Sequence, residues 1–436
     1  MKRILKLIIW VLALTILSIS VYFLYPLVIN RIALYSLQSA SNAEKLGKPE
    51  EEFIGYKRSA ELGNPLAAYH LANCYFQGHG TKANPFEAFI WYRKSADKGN
   101  VDAELSLGSC YFNGIGTSKN LTQAFFWYVQ AAKQGNAESE ETLAECYLNG
   151  WGIPKDNIEA VKWFLVSANQ GNASAQNNLG ECYLQGIGID KSPAEALKWL
   201  LLSASQGNAA SQNASGYCFQ KGIGIERDYV QAIGWYQKSL DHGNSDAEDN
   251  LGECYLNGWG LNKNYSAAVS LFKKSAAQGN PKGQDSLGFC YEYGLGVYKR
   301  RKDALKWIRN SADQQNDCGE YDLGECYLNG WGVKKNDTIA VQWFQKSADQ
   351  ENTDAEIALG FCYQRGRGVK HDGHKAFEFF KKAADGGNSD GFDNLGYCYD
   401  KGLGVKKDPK LACKLYATAY SQLKALGKGT HRILFK

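Results

Sequence analysis

The sequence predicts an all-α solenoid of helix-turn-helix pairs in 36-residue repeats, preceded by an N-terminal transmembrane helix. Three observations carry the solenoid. A cysteine recurs every 36 residues at positions 74, 110, 146, 182, 218, 254, 290, 326, 362 and 398. A Gly-Asn dipeptide recurs in the same phase, from Gly63-Asn64 to Gly387-Asn388, with Gln315-Asn316 and Glu351-Asn352 as variants. Between these markers apolar residues fall at helical spacing, and a fixed period of this length is the signature of a repeat architecture.

The elements follow in chain order. Residues 1–30 hold a charge-free run from Leu7 to Ile29, with Lys2, Arg3 and Lys6 before it. About 20 apolar residues span a bilayer as a helix, whereas a secretory signal has a shorter apolar stretch. The run is expected to be a signal anchor; a cleaved signal peptide is the alternative. Positive charge ahead of the span orients the N-terminus to the cytoplasm and the repeats to the extracytoplasmic side, periplasmic or lumenal. Arg31, Lys45 and Lys48 act against that orientation. Residues 31–62 are expected to be a linker and N-terminal capping helices, with Pro49 and Glu50 to Glu52 marking a helix start. Residues 63–422 are the ten repeats, and 423–436 form a basic tail with Lys428, Arg432 and Lys436.

One unit shows why each repeat folds as a pair. After Gly243-Asn244, the residues Ala247, Leu251, Gly252 and Tyr255 form the stripe of a first helix. Gly258 and Gly260 make a turn. Tyr265, Ala268, Leu271, Phe272 and Ala276 then carry a second helix. Gly252 and Ala268 are small where the two helices approach. Neither helix can bury its stripe alone, so stacking of repeats supplies the core.

The segments LGECYLNGWG at 251–260 and 323–332, and LGYCYDKGLG at 395–404, are joined by Ala-x-x-Trp-[Phe/Tyr] segments such as Ala88 to Ala96 and Ala340 to Ala348. On these residues the chain resembles the Sel-one-like repeat family, a relative of the tetratricopeptide repeats. The resemblance implies a right-handed superhelix with a concave face, serving as an adaptor or scaffold for protein complexes. Family members with two cysteines per repeat bridge them between its helices; this chain has one, which removes that bridge.

Composition narrows the chemistry. Of 436 residues 44% are hydrophobic and 22% charged, which excludes a disordered chain, and 46 Gly exclude a coiled coil. A net charge of +4 without clustering gives no nucleic-acid footprint. Equivalent positions on helices packed ~8–10 Å apart are too distant for disulfides, which need Cα atoms within ~4.4–6.8 Å. The ten periodic cysteines are therefore expected as small buried residues. Ser95 and Lys98 spell S-x-x-K, but the companion β-lactamase elements are absent, so no catalytic residue is expected. His371 and His374 lack further clustered ligands, so no metal and no cofactor is expected.

The functional expectation rests on the face of the first helices. The position before each periodic cysteine varies while the packing residues hold steady. Its candidates for partner binding are Glu145, Glu181, Tyr217, Glu253, Phe289, Glu325, Phe361 and Tyr397. The second helices are Lys-rich, at Lys162, Lys198, Lys238, Lys273, Lys274, Lys346 and Lys381. The expected function is a non-catalytic, membrane-tethered adaptor whose acidic, partly aromatic concave face binds a protein or peptide with basic and apolar side chains. The alternatives are an envelope polysaccharide or peptidoglycan-associated scaffold, with Trp151, Trp259 and Trp331 as an aromatic ridge stacking on sugars, or a secreted host-interaction factor.

Overall fold

The computed structural model describes residues 25–425. All secondary structure among them is helical. A helix over 25–45 and a second at Pro49–Glu61 precede ten helix pairs, from Pro65–Gln77 with Pro85–Ala96 to Ser389–Lys401 with Pro409–Ala425. From Pro65–Gln77 to Pro193–Ser205, and again from Tyr229–Asp241 to Pro409–Ala425, each helix packs on the next along the chain. The chain divides into two compact units between Ser211 and Gln212. The run from Leu7 to Ile29 lies almost wholly outside the described residues. Among the described residues no helix is long and apolar enough to cross a membrane.

The Gly-Asn dipeptide does two jobs. Gly279 ends a second helix at φ 85°, in the left-handed region that favours glycine. Asn280 then caps the next first helix, accepting from the amides of Lys282 and Gly283. The two variants keep the Asn cap but place side chains in the same backbone region, Gln315 at φ 60° and Glu351 at φ 64°. In the turn, the second glycine is required by contact. A Cβ on Gly188 would lie 2.1 Å from the Asn157 carbonyl oxygen in the preceding repeat.

Within each repeat the helices meet as the small residues require. A Cβ on Gly252 would lie 2.5 Å from the Phe272 ring, and Phe272 is fully buried. A buried serine of the second helix ties back to the start of the first. Ser275 Oγ donates to the Ser245 carbonyl at 2.7 Å, and Ser167 and Ser347 make the equivalent bonds to Ala137 and Asp317. Ser95 is one of this series: it is fully buried and donates to the Pro65 carbonyl at 2.6 Å. The S-x-x-K serine thus has a structural partner and no access to solvent. All ten periodic cysteines are buried and unbridged, and Cys318 and Cys413 are exposed. Burial pushes the Cys146 thiol up to about 12, the behaviour of a packing residue rather than a nucleophile.

Candidate binding face on the first helices

Hydrogen bonds join successive first helices directly. In the unit up to Ser211, Asn178 Nδ2 donates to Glu141 Oε1 at 3.2 Å. In the unit from Gln212, Asn250 Nδ2 donates to Asn213 Oδ1 at 2.8 Å, and the first helices Ser245–Asn257, Pro281–Tyr293 and Asp317–Asn329 touch in succession. The residues before the cysteines therefore stand in a row on neighbouring helices within each unit.

The row is not uniformly exposed. In the first unit Glu145 and Glu181 are half-buried. Burial raises the Glu145 carboxyl above its ordinary value. Burial also lifts Glu141, one turn earlier on the same helix, to about 7, and the charges of Glu145 and Glu138 add to it. In the second unit Tyr217 and Tyr397 are the open positions, 42% and 41% exposed. Lys221 Nζ sits 5.5 Å from the Tyr217 ring centroid. Half-buried Glu253 is raised by burial, and Lys221 and Lys282 oppose the rise. Asp249, a turn before Glu253 and 3% exposed, is lifted to about 7 by burial and then by the Glu253 charge. Phe289 packs on Tyr293 with ring centroids 4.6 Å apart, and Phe361 edges onto Phe380 with Arg365 over its ring. Glu325 is buried at 7%, its Oε2 accepting from Asn329 Nδ2 at 2.8 Å.

Three of the residues singled out from sequence converge. Phe289, Glu325 and Trp331 line one narrow cleft between consecutive repeats, joined by Glu292, Tyr293 and Asp322. Glu292 lines the cleft although it lies outside the position before each cysteine. It lies two residues after the cysteine, a register holding Leu148, Leu184, Leu256 and Leu328 in four repeats and Gln220, Gln364 and Asp400 in three others.

The three tryptophans of the expected aromatic ridge lie in separate turns. Each is half-buried against its own surroundings: Trp151 edges onto Phe112, Trp259 stacks on Tyr229, and Trp331 packs beside Ile308 and Leu323. Leu295 occupies the same turn position between Trp259 and Trp331. The lysines of the second helices are exposed, and Lys238 and Lys346 lie over Trp235 and Trp343. This basic surface is interrupted where Leu165, Val166 and Leu202 stand exposed in the first unit. Among the described residues no group of three or more His, Cys, Asp or Glu could hold a metal ion.

With this geometry in hand, the chain can be set beside known proteins. Ten copies of the Sel1 repeat match, at 65–100, 101–136, 137–172, 173–208, 209–244, 245–280, 281–316, 319–352, 353–388 and 393–422. Among solved structures the chain is similar to a protective antigen of uropathogenic Escherichia coli displaying an SLR fold. The identity is 32%, the TM-score 0.55, and the match covers 86% of this chain and 92% of that one. It is also similar to a Sel1 repeat protein from Oxalobacter formigenes, at 28% identity and TM-score 0.52, covering 68% of this chain and 86% of that one. No curated protein matches the chain.

Proposed function

The chain belongs to the Sel1 repeat family, and from that premise we propose that it is a non-catalytic adaptor, tethered to a membrane by the run from Leu7 to Ile29. Solenoids of this class serve in general as scaffolds for protein–protein interaction. In this role the face of the first helices captures a peptide segment of a partner through basic and apolar side chains.

The observation that carries it is the partly desolvated row of carboxylates and aromatic rings on that face. Half-buried Glu145, Glu181 and Glu253 offer charge at reduced solvation, where an opposite charge is worth more than at an open surface. Tyr217, Phe289, Phe361 and Tyr397 offer apolar contact beside them. Packing residues at the neighbouring registers stay small or apolar from repeat to repeat, so the variable row is the part of each helix left to recognition. The tether rests on the sequence of residues 7–29, with the repeats on the extracytoplasmic side.

Two experiments test this. Selection of a displayed random-peptide library on the full chain should enrich sequences that combine Arg or Lys with aliphatic or aromatic residues. Enrichment of acidic sequences would refute the binding reading. A reporter fused after Lys436 and active on one side of the membrane, with an intact-mass measurement, should give an uncleaved chain with extracytoplasmic repeats. A cytoplasmic signal would overturn the orientation.

A further inference from the structure

We propose that the exposed apolar side of helix 25–45, up to Tyr35, lies in the headgroup layer of a bilayer, so that the solenoid stands directly on the membrane. The inference rests on the reading of the run from Leu7 to Ile29 as a membrane tether and places the water boundary within the described helix.

Helix 25–45 changes character along its length. Its inward side is one stripe, with Ala33, Ser36, Ala40 and Ala43 buried at helical spacing. Its outward side is apolar at first. Tyr25, Leu27, Val28, Ile32, Leu34 and Tyr35 are all exposed, Tyr35 at 79%, and Asn30 and Arg31 alone interrupt them. Beyond that level the exposed side chains are Gln38, Ser39, Asn42, Glu44 and Lys45. At 100° per residue the six apolar side chains spread over about half the circumference of the helix. A docked helix would cover one narrow stripe. A lipid layer surrounds every side that the solenoid leaves open, and it ends at one level, as this apolar surface does.

The lengths agree. The charge-free run ends at Ile29 and is long enough for the hydrocarbon core. From Ile29 to Tyr35 the helix rises about 9 Å, close to the thickness of one headgroup layer. Tyrosines suit that layer, and Arg31 can reach the phosphates from it. The packing leaves no slack for a linker. Ser59 Oγ donates to the Ala33 carbonyl at 2.8 Å, and Tyr56 OH donates to Glu44 Oε2 at 3.3 Å. A Cβ on Gly55 would lie 2.8 Å from the Ala40 Cβ. The helix is therefore part of the stack from Ala33 onward, four residues after Ile29. Ser59 also fixes the level of the end of Pro49–Glu61, so exposed Lys57 and Arg58 stand beside the boundary. They suit anionic headgroups, and Glu61 offsets part of their charge.

The test uses the full chain in vesicles of equimolar phosphatidylcholine and phosphatidylglycerol. Cys318→Ser and Cys413→Ser remove the exposed thiols, and the ten periodic thiols are buried, so one added cysteine takes a nitroxide label. Leu34→Cys and Tyr35→Cys place the label on the apolar level, and Asn42→Cys on the polar one. Ile54→Cys is the control: Ile54 is apolar and 63% exposed, but it neighbours Gly55 at the level of Ala40. Electron paramagnetic resonance reads collisions with oxygen, which concentrates in lipid, and with a water-soluble nickel chelate. The expected result is several-fold fewer nickel collisions, and more oxygen collisions, at 34 and 35 than at 42 and 54. Equal nickel collisions at all four, in a chain that resists alkaline carbonate, would overturn the proposal and leave the tether standing. Release of the chain by carbonate would overturn the tether and the proposal together. Labels at 34 and 35 shielded from both probes and broadened by a label on another chain would give this side to a second copy, and would also overturn it.

Discussion

Replacing Gln315 with glycine should stabilise the protein, although it deletes a side chain. Gln315 holds φ 60° and Glu351 φ 64°, where eight other repeats place glycine. A Cβ in left-handed backbone costs roughly 1–2 kcal/mol. Glycine returns about 0.5–1 kcal/mol of this through its freer unfolded chain. The net gain expected is about 0.5–1 kcal/mol for each substitution. Gln315→Gly and Glu351→Gly lie in different repeats and should add. The reciprocal change supplies the control. Gly279 sits at φ 85°, and a Cβ there would meet nothing within 4 Å. Gly279→Gln therefore meets no clash at its Cβ and should lose a similar amount from backbone strain alone. Urea denaturation followed by far-ultraviolet circular dichroism reads all three. A lower midpoint for Gln315→Gly, or an unchanged one for Gly279→Gln, would refute the reasoning.

Three further outcomes follow from the same structure. Gly252→Ala drives a methyl to within 2.5 Å of the Phe272 ring and should cost about 1–3 kcal/mol in urea denaturation. Stability should fall as pH rises from about 4 to about 7, because Asp249 and Glu141 are both lifted to about 7 in the fold. An acid held above its unfolded value contributes stability fully below that unfolded value and loses it as pH climbs through the folded one. Asp249→Asn and Glu141→Gln should each flatten the pH dependence of the urea midpoint. Thiol labelling of the native chain should modify exposed Cys413 first and Cys318 more slowly, because burial and nearby aspartates push its thiol up, with the ten buried thiols reacting only after denaturation, read by peptide mass spectrometry.

The repeat was legible because its signals are periodic and local. Gly279 and Asn280 announce a helix end and a helix cap by their own backbone preferences, and Gly252 announces a close approach to Phe272. Cys146 reads as core from its phase alone. The depth of the recognition row was not legible. Glu145 and Glu325 share one register, yet Glu325 is buried and Glu145 half-buried: Phe289 and Tyr293 of the preceding repeat line the cleft with Glu325, where the positions before Glu145 hold Ser109 and Asn113. The burial of Glu292 was not legible either, because its register holds leucine in four repeats and Gln220, Gln364 or Asp400 in three others. The apolar break in the basic outer surface at Leu165, Val166 and Leu202 reads from sequence as ordinary core until exposure is known.

The central claim is that the carboxylates of the first helices hold a basic partner segment. The measurement that tests it most directly is the affinity of a library-selected peptide for the full chain and for its Glu145→Gln, Glu181→Gln and Glu253→Gln variants, by isothermal titration at two salt concentrations. The account predicts a loss of about threefold to tenfold in at least one variant, and weaker binding at higher salt. Unchanged affinity in all three variants, together with no salt dependence, would contradict it.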